Sequence, residues 1–120
     1  MTTRKILSVV GAVGALMLGA TQADAHARVV ASNPAASASI ASPRALTVTF
    51  SERVVPAFSG LEVVNAAGAK FPVATTVSDD GMTVSGRTAR PLAAGAYSLN
   101  WHAASADGHR MTGAIAFTVR

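Results

Sequence analysis

From residue 45 onward the chain alternates. Leu46, Val48 and Phe50 share one face of Ala45–Ser51, while Thr47 and Thr49 share the other. Leu61–Val64 ends in the turn signal Asn65-Ala66-Ala67-Gly68. Phe71–Val77 runs into the polar turn Ser78-Asp79-Asp80-Gly81, and Met82–Ser85 resumes beyond it. Tyr97, Leu99 and Trp101 alternate with Ser98, Asn100 and His102, and Ile115, Phe117 and Val119 alternate with smaller residues in Ala114–Val119. Side chains two apart leave the same face of an extended backbone, so each segment predicts a strand. The one helical candidate, Ala35–Ala41, is short and lies between Pro34 and Pro43. About seven strands punctuated by turns predict an all-β fold, an antiparallel β-sandwich or small barrel. Pro56, Pro72 and Pro91 are expected to protect its edges, because proline cannot donate to a ladder.

The first residues obey a different pattern. Arg4 and Lys5 precede an apolar run from Ile6 to Ala20, and Ala23-Asp24-Ala25 follows. A basic start, a short apolar stretch and an A-x-A site predict a secretory signal peptide over residues 1–25. The run is too short to cross a bilayer as a helix. Cleavage after Ala25 makes His26 the first residue of a single mature domain, 26–120, with no transmembrane segment of its own. A weaker cut after Ala23 would leave Asp24-Ala25-His26 at the terminus.

Composition then removes several function classes. The mature chain holds eight basic and five acidic side chains, and the cations are scattered rather than clustered. Nucleic-acid binding wants them on one face, so no nucleic-acid partner is expected. There is no cysteine, which excludes thiolate metal sites, CxxC redox chemistry and cysteine nucleophiles. No serine stands in G-x-S-x-G, and the glycines are dispersed rather than gathered in a phosphate loop.

What remains is three histidines, His26, His102 and His109, and a few carboxylates. Asp107-Gly108-His109 puts a carboxylate and an imidazole two residues apart, able to converge on one ion; the competing reading is an ordinary Asp-Gly turn. An N-terminal His26 offers its α-amine and Nδ1 to the same metal, and the competing reading is a fraying terminus. Both groups bind only when deprotonated, so a metal held there is released on acidification. With the alternative cut, a histidine at position three would chelate Cu(II) through backbone nitrogens instead. His102 alternates out of phase with Trp101 and is expected on the outer face. Tyr97, Trp101 and Met82 read as core.

The mature chain resembles the CopC family of exported copper-resistance and copper-homeostasis proteins. The resemblance rests on His26, Ser32-Asn33-Pro34, Pro43 ahead of Leu46-Thr47-Val48-Thr49-Phe50-Ser51-Glu52, Leu92 through Tyr97, and the closing Trp101–His109 stretch with Gly113, Phe117 and Val119. It implies an Ig-like β-sandwich, or Greek-key barrel, in the periplasm with a Cu(II) site. By position His26 would give its amine and imidazole, and Asp107 and His109 the remaining ligands. Glu52 would stand as an axial ligand or an acceptor beside the ion; as a plain residue it is an exposed strand-end carboxylate. The resemblance also implies an inner-membrane copper permease, or another copper carrier, as partner. Three nitrogens and a carboxylate oxygen suit tetragonal Cu(II), whereas Met82 and Met111 are too few for a Cu(I) cluster.

The chain is accordingly expected to carry, buffer or deliver Cu(II) and not to be an enzyme, since its ligands leave no open position for a substrate. Two rivals are a metal-free Ig-like interaction module and a histidine-brace copper mono-oxygenase.

Overall fold

The computed structural model describes residues 27–120; the expected signal peptide and His26 lie outside the described residues. Nine strands follow in order: β1 (Val29–Asn33), β2 (Ala38–Ile40), β3 (Ala45–Phe50), β4 (Gly60–Asn65), β5 (Lys70–Phe71), β6 (Val73–Val77), β7 (Thr83–Thr88), β8 (Gly95–Ala104) and β9 (Arg110–Val119). One 3-10 turn, Pro56–Phe58, joins β3 to β4. The strands form a four-stranded sheet in the order β1-β3-β7-β6 and a five-stranded sheet in the order β2-β9-β8-β4-β5. The all-β sandwich predicted from alternation is thus present.

Its details differ from the expectation of about seven antiparallel strands. The run Phe71–Val77 is cut at Pro72, so that β5 joins one sheet and β6 the other. Proline's missing N–H breaks the ladder at that point. Of the three prolines expected at edges, Pro72 alone lies beside edge strands; Pro56 opens the 3-10 turn and Pro91 sits in the β7–β8 connection. The Ala/Ser-rich candidate helix contains β2 instead, which pairs parallel with β9 through Ala38–Phe117 and Ile40–Val119. Such pairing uses backbone groups and needs no apolar alternation, so the sequence pattern did not reveal it.

The core forms between the sheets from the inward residues of each alternating strand. Leu46, Val48 and Phe50 from β3 and Val84 from β7 meet Val63 from β4, Leu99 from β8, and Phe117 and Val119 from β9. Each such side chain contributes roughly 1.5–3 kcal/mol by leaving water. Phe50 stands edge-on to Trp101 across the sheets, with ring centroids 5.1 Å apart. Tyr97 is buried, stacks on Phe117 and donates its hydroxyl to the Ala93 carbonyl at 2.6 Å. That backward hydroxyl bond has the form of the tyrosine corner of Ig-like sandwiches. Tyr97 and Trp101 therefore pack as core residues. Met82 does not: it is half-buried just before β7 and absent from the core cluster.

Two features carry this frame to one end of the molecule. β8 and β9 pair without interruption from Gly95–Val119 to Ala104–Arg110. The hairpin stays tight because the Trp101 indole covers Gly113, where a Cβ would lie 2.5 Å from the ring. The chain leaving β3 runs beside the tip of that hairpin: Val54 bridges Ser105, and the Val55 N–H donates to the Ala104 carbonyl at 2.8 Å.

Candidate metal centre

The β8–β9 connection is Ser105-Ala106-Asp107-Gly108-His109. The Ser105 N–H donates to the His109 carbonyl at 2.9 Å, and the Gly108 N–H to the Ser105 carbonyl at 2.9 Å. Gly108 has φ +92°, a left-handed conformation that glycine adopts without Cβ strain. Asp107 closes the turn. Its Oδ1 accepts from the Ser105 hydroxyl and from the His109 N–H at 3.2 Å, and its Oδ2 lies 2.8 Å from His109 Nδ1. The carboxylate and the imidazole are thus in contact with each other.

Hydrogen bonds set the charge of Asp107. The Ser105 hydroxyl first, then the His109 ring and the His109 N–H, hold its carboxyl well below the usual carboxylate range. Its side chain is 49% exposed, so burial does little to oppose them. The turn therefore presents a permanent anion beside an imidazole. Such a carboxylate contact commonly orients a metal-binding imidazole from behind; for Asp107 and His109 both to ligate one ion, the Nδ1–Oδ2 contact must open.

The other candidates stand as follows. Glu52 is exposed, just past β3. Among the described residues no three His, Asp or Glu side chains form a ready metal cluster, so Glu52 does not join Asp107 and His109 in one. His102 is exposed on the outer face of β8, as its phase predicted, and lines a depression with Glu62, Asn100 and Thr112. Its ring lies over Gly60, where a Cβ would meet Cε1 at 2.9 Å. Met111 is half-buried and packs against the core. His26 lies outside the described residues, but the chain just after it is fixed. Ala27 is 5% exposed, the Arg28 N–H donates to Ser51 Oγ at 2.9 Å, and the Ser51 N–H donates to the Arg28 carbonyl at 2.8 Å.

Sequence reasoning quoted Ser51 and Ser105 only as motif positions and gave neither a role. A signal was available, because Ser-x-Asp-Gly occurs twice, at Ser78–Gly81 and Ser105–Gly108. A motif used twice in one small domain marks a turn whose serine and aspartate act together.

A two-sheet Ig-like sandwich with a His/Asp turn at the tip of its longest hairpin defines the class. A family model for the CopC domain matches residues 29–120, and the chain belongs to this family. Copper resistance protein C of Pseudomonas syringae pv. tomato is 36% identical over 111 residues, covering 87% of this chain and 88% of that protein. Copper resistance protein C of Escherichia coli is 33% identical over 118 residues, covering 89% and 92%. Among solved structures, PcoC, a methionine-rich copper resistance protein from Escherichia coli, superposes with TM-score 0.72 at 29% identity, over 80% of this chain and all of PcoC. CopC from Methylosinus trichosporium OB3b superposes with TM-score 0.73 at 27% identity, over 78% and 93%. Among the described residues no helix is long and apolar enough to cross a membrane.

Proposed function

We propose that this is an exported, periplasmic Cu(II)-binding protein that carries, buffers or delivers copper for copper homeostasis and resistance. One Cu(II) ion is held as cargo by the amine and imidazole of His26, the Asp107 carboxylate and His109. The observation that carries the reading is that the Asp107 carboxylate and the His109 imidazole stand side by side in a turn that the Ser51–Val55 segment links to the chain following His26. An anionic oxygen with imidazole and amine nitrogens is a donor set suited to tetragonal Cu(II), and the divalent affinity order peaks at copper. Sulfur donors are scarce: there is no cysteine, and Met111 packs inward. Glu52 is near enough along the chain to Ser51 to act as an axial or outer acceptor once His26 and the metal are in place. An inner-membrane permease or another carrier is the partner that fits delivery.

The test is native mass spectrometry of the exported protein, purified without an N-terminal tag and titrated with Cu(II). A mass beginning at His26 with one tightly held copper supports the reading. A mass beginning at Asp24 moves the site to a position-three chelate and makes Asp107 and His109 bystanders. A chain that begins at His26 and holds no copper overturns it.

A further inference from the structure

The two halves of the proposed site are tied together by serines. Ser105 is 4% exposed, although it belongs to a polar turn. Its hydroxyl donates to Asp107 Oδ1 and lies 3.4 Å from the His109 carbonyl, its backbone closes the turn on His109, and it bridges Val54. Three residues before that bridge, Ser51 holds Arg28 from both sides, its hydroxyl accepting the Arg28 N–H and its own N–H donating to the Arg28 carbonyl. Asp107 Oδ1 is thereby turned away from His109 Nδ1, so that Oδ2 faces the imidazole, while the N-terminal strand is fixed two residues after His26.

We infer that Ser51 and Ser105 are positioning residues for the copper site, Ser51 setting the N-terminal half and Ser105 the Asp107–His109 half. The inference rests on the proposed Cu(II) function. Neither serine touches the metal. Each fixes a ligand-bearing segment before copper arrives, which lowers the ordering cost of binding. Hydrogen-bonded partners behind metal ligands typically account for about 10- to 100-fold in affinity.

The molecule supplies its own control. Ser78 makes the same bond in the other turn, donating to Asp80 Oδ1 at 2.6 Å. Ser51→Ala, Ser78→Ala and Ser105→Ala would be compared by Cu(II) competition titration, electron paramagnetic resonance of the bound ion and thermal unfolding. Ser105→Ala is expected to weaken Cu(II) about tenfold or more and to change the resonance parameters, with Ser105→Thr restoring both. Ser78→Ala is expected to shift unfolding alone. Ser51→Ala is expected to weaken copper in the native chain but not in a chain carrying one extra residue before His26, where the N-terminal chelate is already lost. Ser105→Ala should still weaken whatever copper that extended chain retains. Wild-type affinity and an unchanged spectrum in Ser105→Ala would overturn the inference for the turn, and a Ser51→Ala loss that persists in the extended chain would overturn it for the terminus. A wild-type chain that binds no Cu(II) refutes the proposed function itself, a separate result.

Discussion

Two turns of this protein are built almost alike, and only one is a candidate metal site. In Ser78-Asp79-Asp80-Gly81-Met82 the serine hydroxyl donates to Asp80 Oδ1, which also accepts the Met82 N–H at 3.0 Å, and Gly81 has φ +75°. In Ser105-Ala106-Asp107-Gly108-His109 the same bonds recur, and Gly108 has φ +92°. The turns even flank the same segment: the Val54 N–H donates to the Gly81 carbonyl, and Val54 bridges Ser105. They differ in the residue after glycine, Met82 against His109, and in closure. Ser78 pairs with Thr83, whereas Ser105 pairs with His109 itself. The Arg53 side chain lies against Gly81 in the first turn. Ser-x-Asp-Gly is therefore a device for making a tight turn with a fixed carboxylate, and the following residue decides what that carboxylate can do.

The sharpest way to break the comparison is at the residue after glycine. His109→Ala should lower Cu(II) affinity by about 100-fold or more, since a whole ligand is lost and its effect exceeds that of an outer partner, while Met82→Ala leaves it unchanged. Competition titration against a chelator of known affinity checks both. An extra residue before His26 should cost a similar amount in the same titration with the unfolding midpoint preserved.

Next in size is the carboxylate. Asp107→Asn should weaken Cu(II) about 10- to 100-fold, whereas Asp80→Asn leaves copper alone. Because hydrogen bonds hold Asp107 below its ordinary value of 3.8, it stays anionic in mild acid. Copper release on acidification then follows protonation of the nitrogen donors. Asp107→Asn should therefore release copper at a higher pH, as its lower affinity requires, but with the steepness of the release curve unchanged, because the same nitrogen donors take up the protons. A curve of altered steepness would contradict this.

Both glycines adopt conformations that side chains resist, so Gly81→Ala and Gly108→Ala should each cost about 1–2 kcal/mol. Gly81→Ala should cost more. Its Cβ would meet Arg53 Nε at 3.3 Å, whereas nothing lies within 4 Å at Gly108. Urea unfolding with equal slopes would rank them.

Acid stability gives a smaller difference. The Ser78 hydroxyl first, then the Met82 N–H, lowers the Asp80 carboxyl below 3.8. A carboxyl lowered on folding contributes stability above its unfolded value, and that contribution is lost as pH falls through the folded value. Asp80→Asn should therefore lower stability slightly at neutral pH, where the ionised carboxylate's hydrogen bonds contribute, and flatten the pH dependence of unfolding below about pH 4, where that contribution is already being lost. The smallest effect is expected from Met82→His, which copies the second turn's sequence into the first. It should create no tight copper site, because the turn's closure on Thr83 and the Arg53 side chain against it leave a different setting for the new imidazole. A second tightly bound copper in native mass spectra would show that the turn alone suffices.

The alternation of Leu46, Val48 and Phe50, of Tyr97, Leu99 and Trp101, and of Ile115, Phe117 and Val119 determined by itself that the chain folds as β-strands with one buried face, because a period of two has a single way to hide apolar side chains. The Asp107-Gly108-His109 triplet likewise marked a carboxylate and an imidazole that the structure brings into contact. Tertiary structure decided what backbone pairing controls: the parallel seat of β2 on β9, the change of sheet at Pro72, and the docking of Arg28 on Ser51. The first joins groups far apart in sequence through N–H and C=O bonds that every residue but proline offers alike; the other two use Pro72's missing N–H and the Ser51 hydroxyl, whose partner exists only in the closed fold. The burial of Ser105 is of the same kind. Its hydroxyl gains its role because the Val54 segment crosses the hairpin tip there, and that crossing exists only once both sheets have closed on the core.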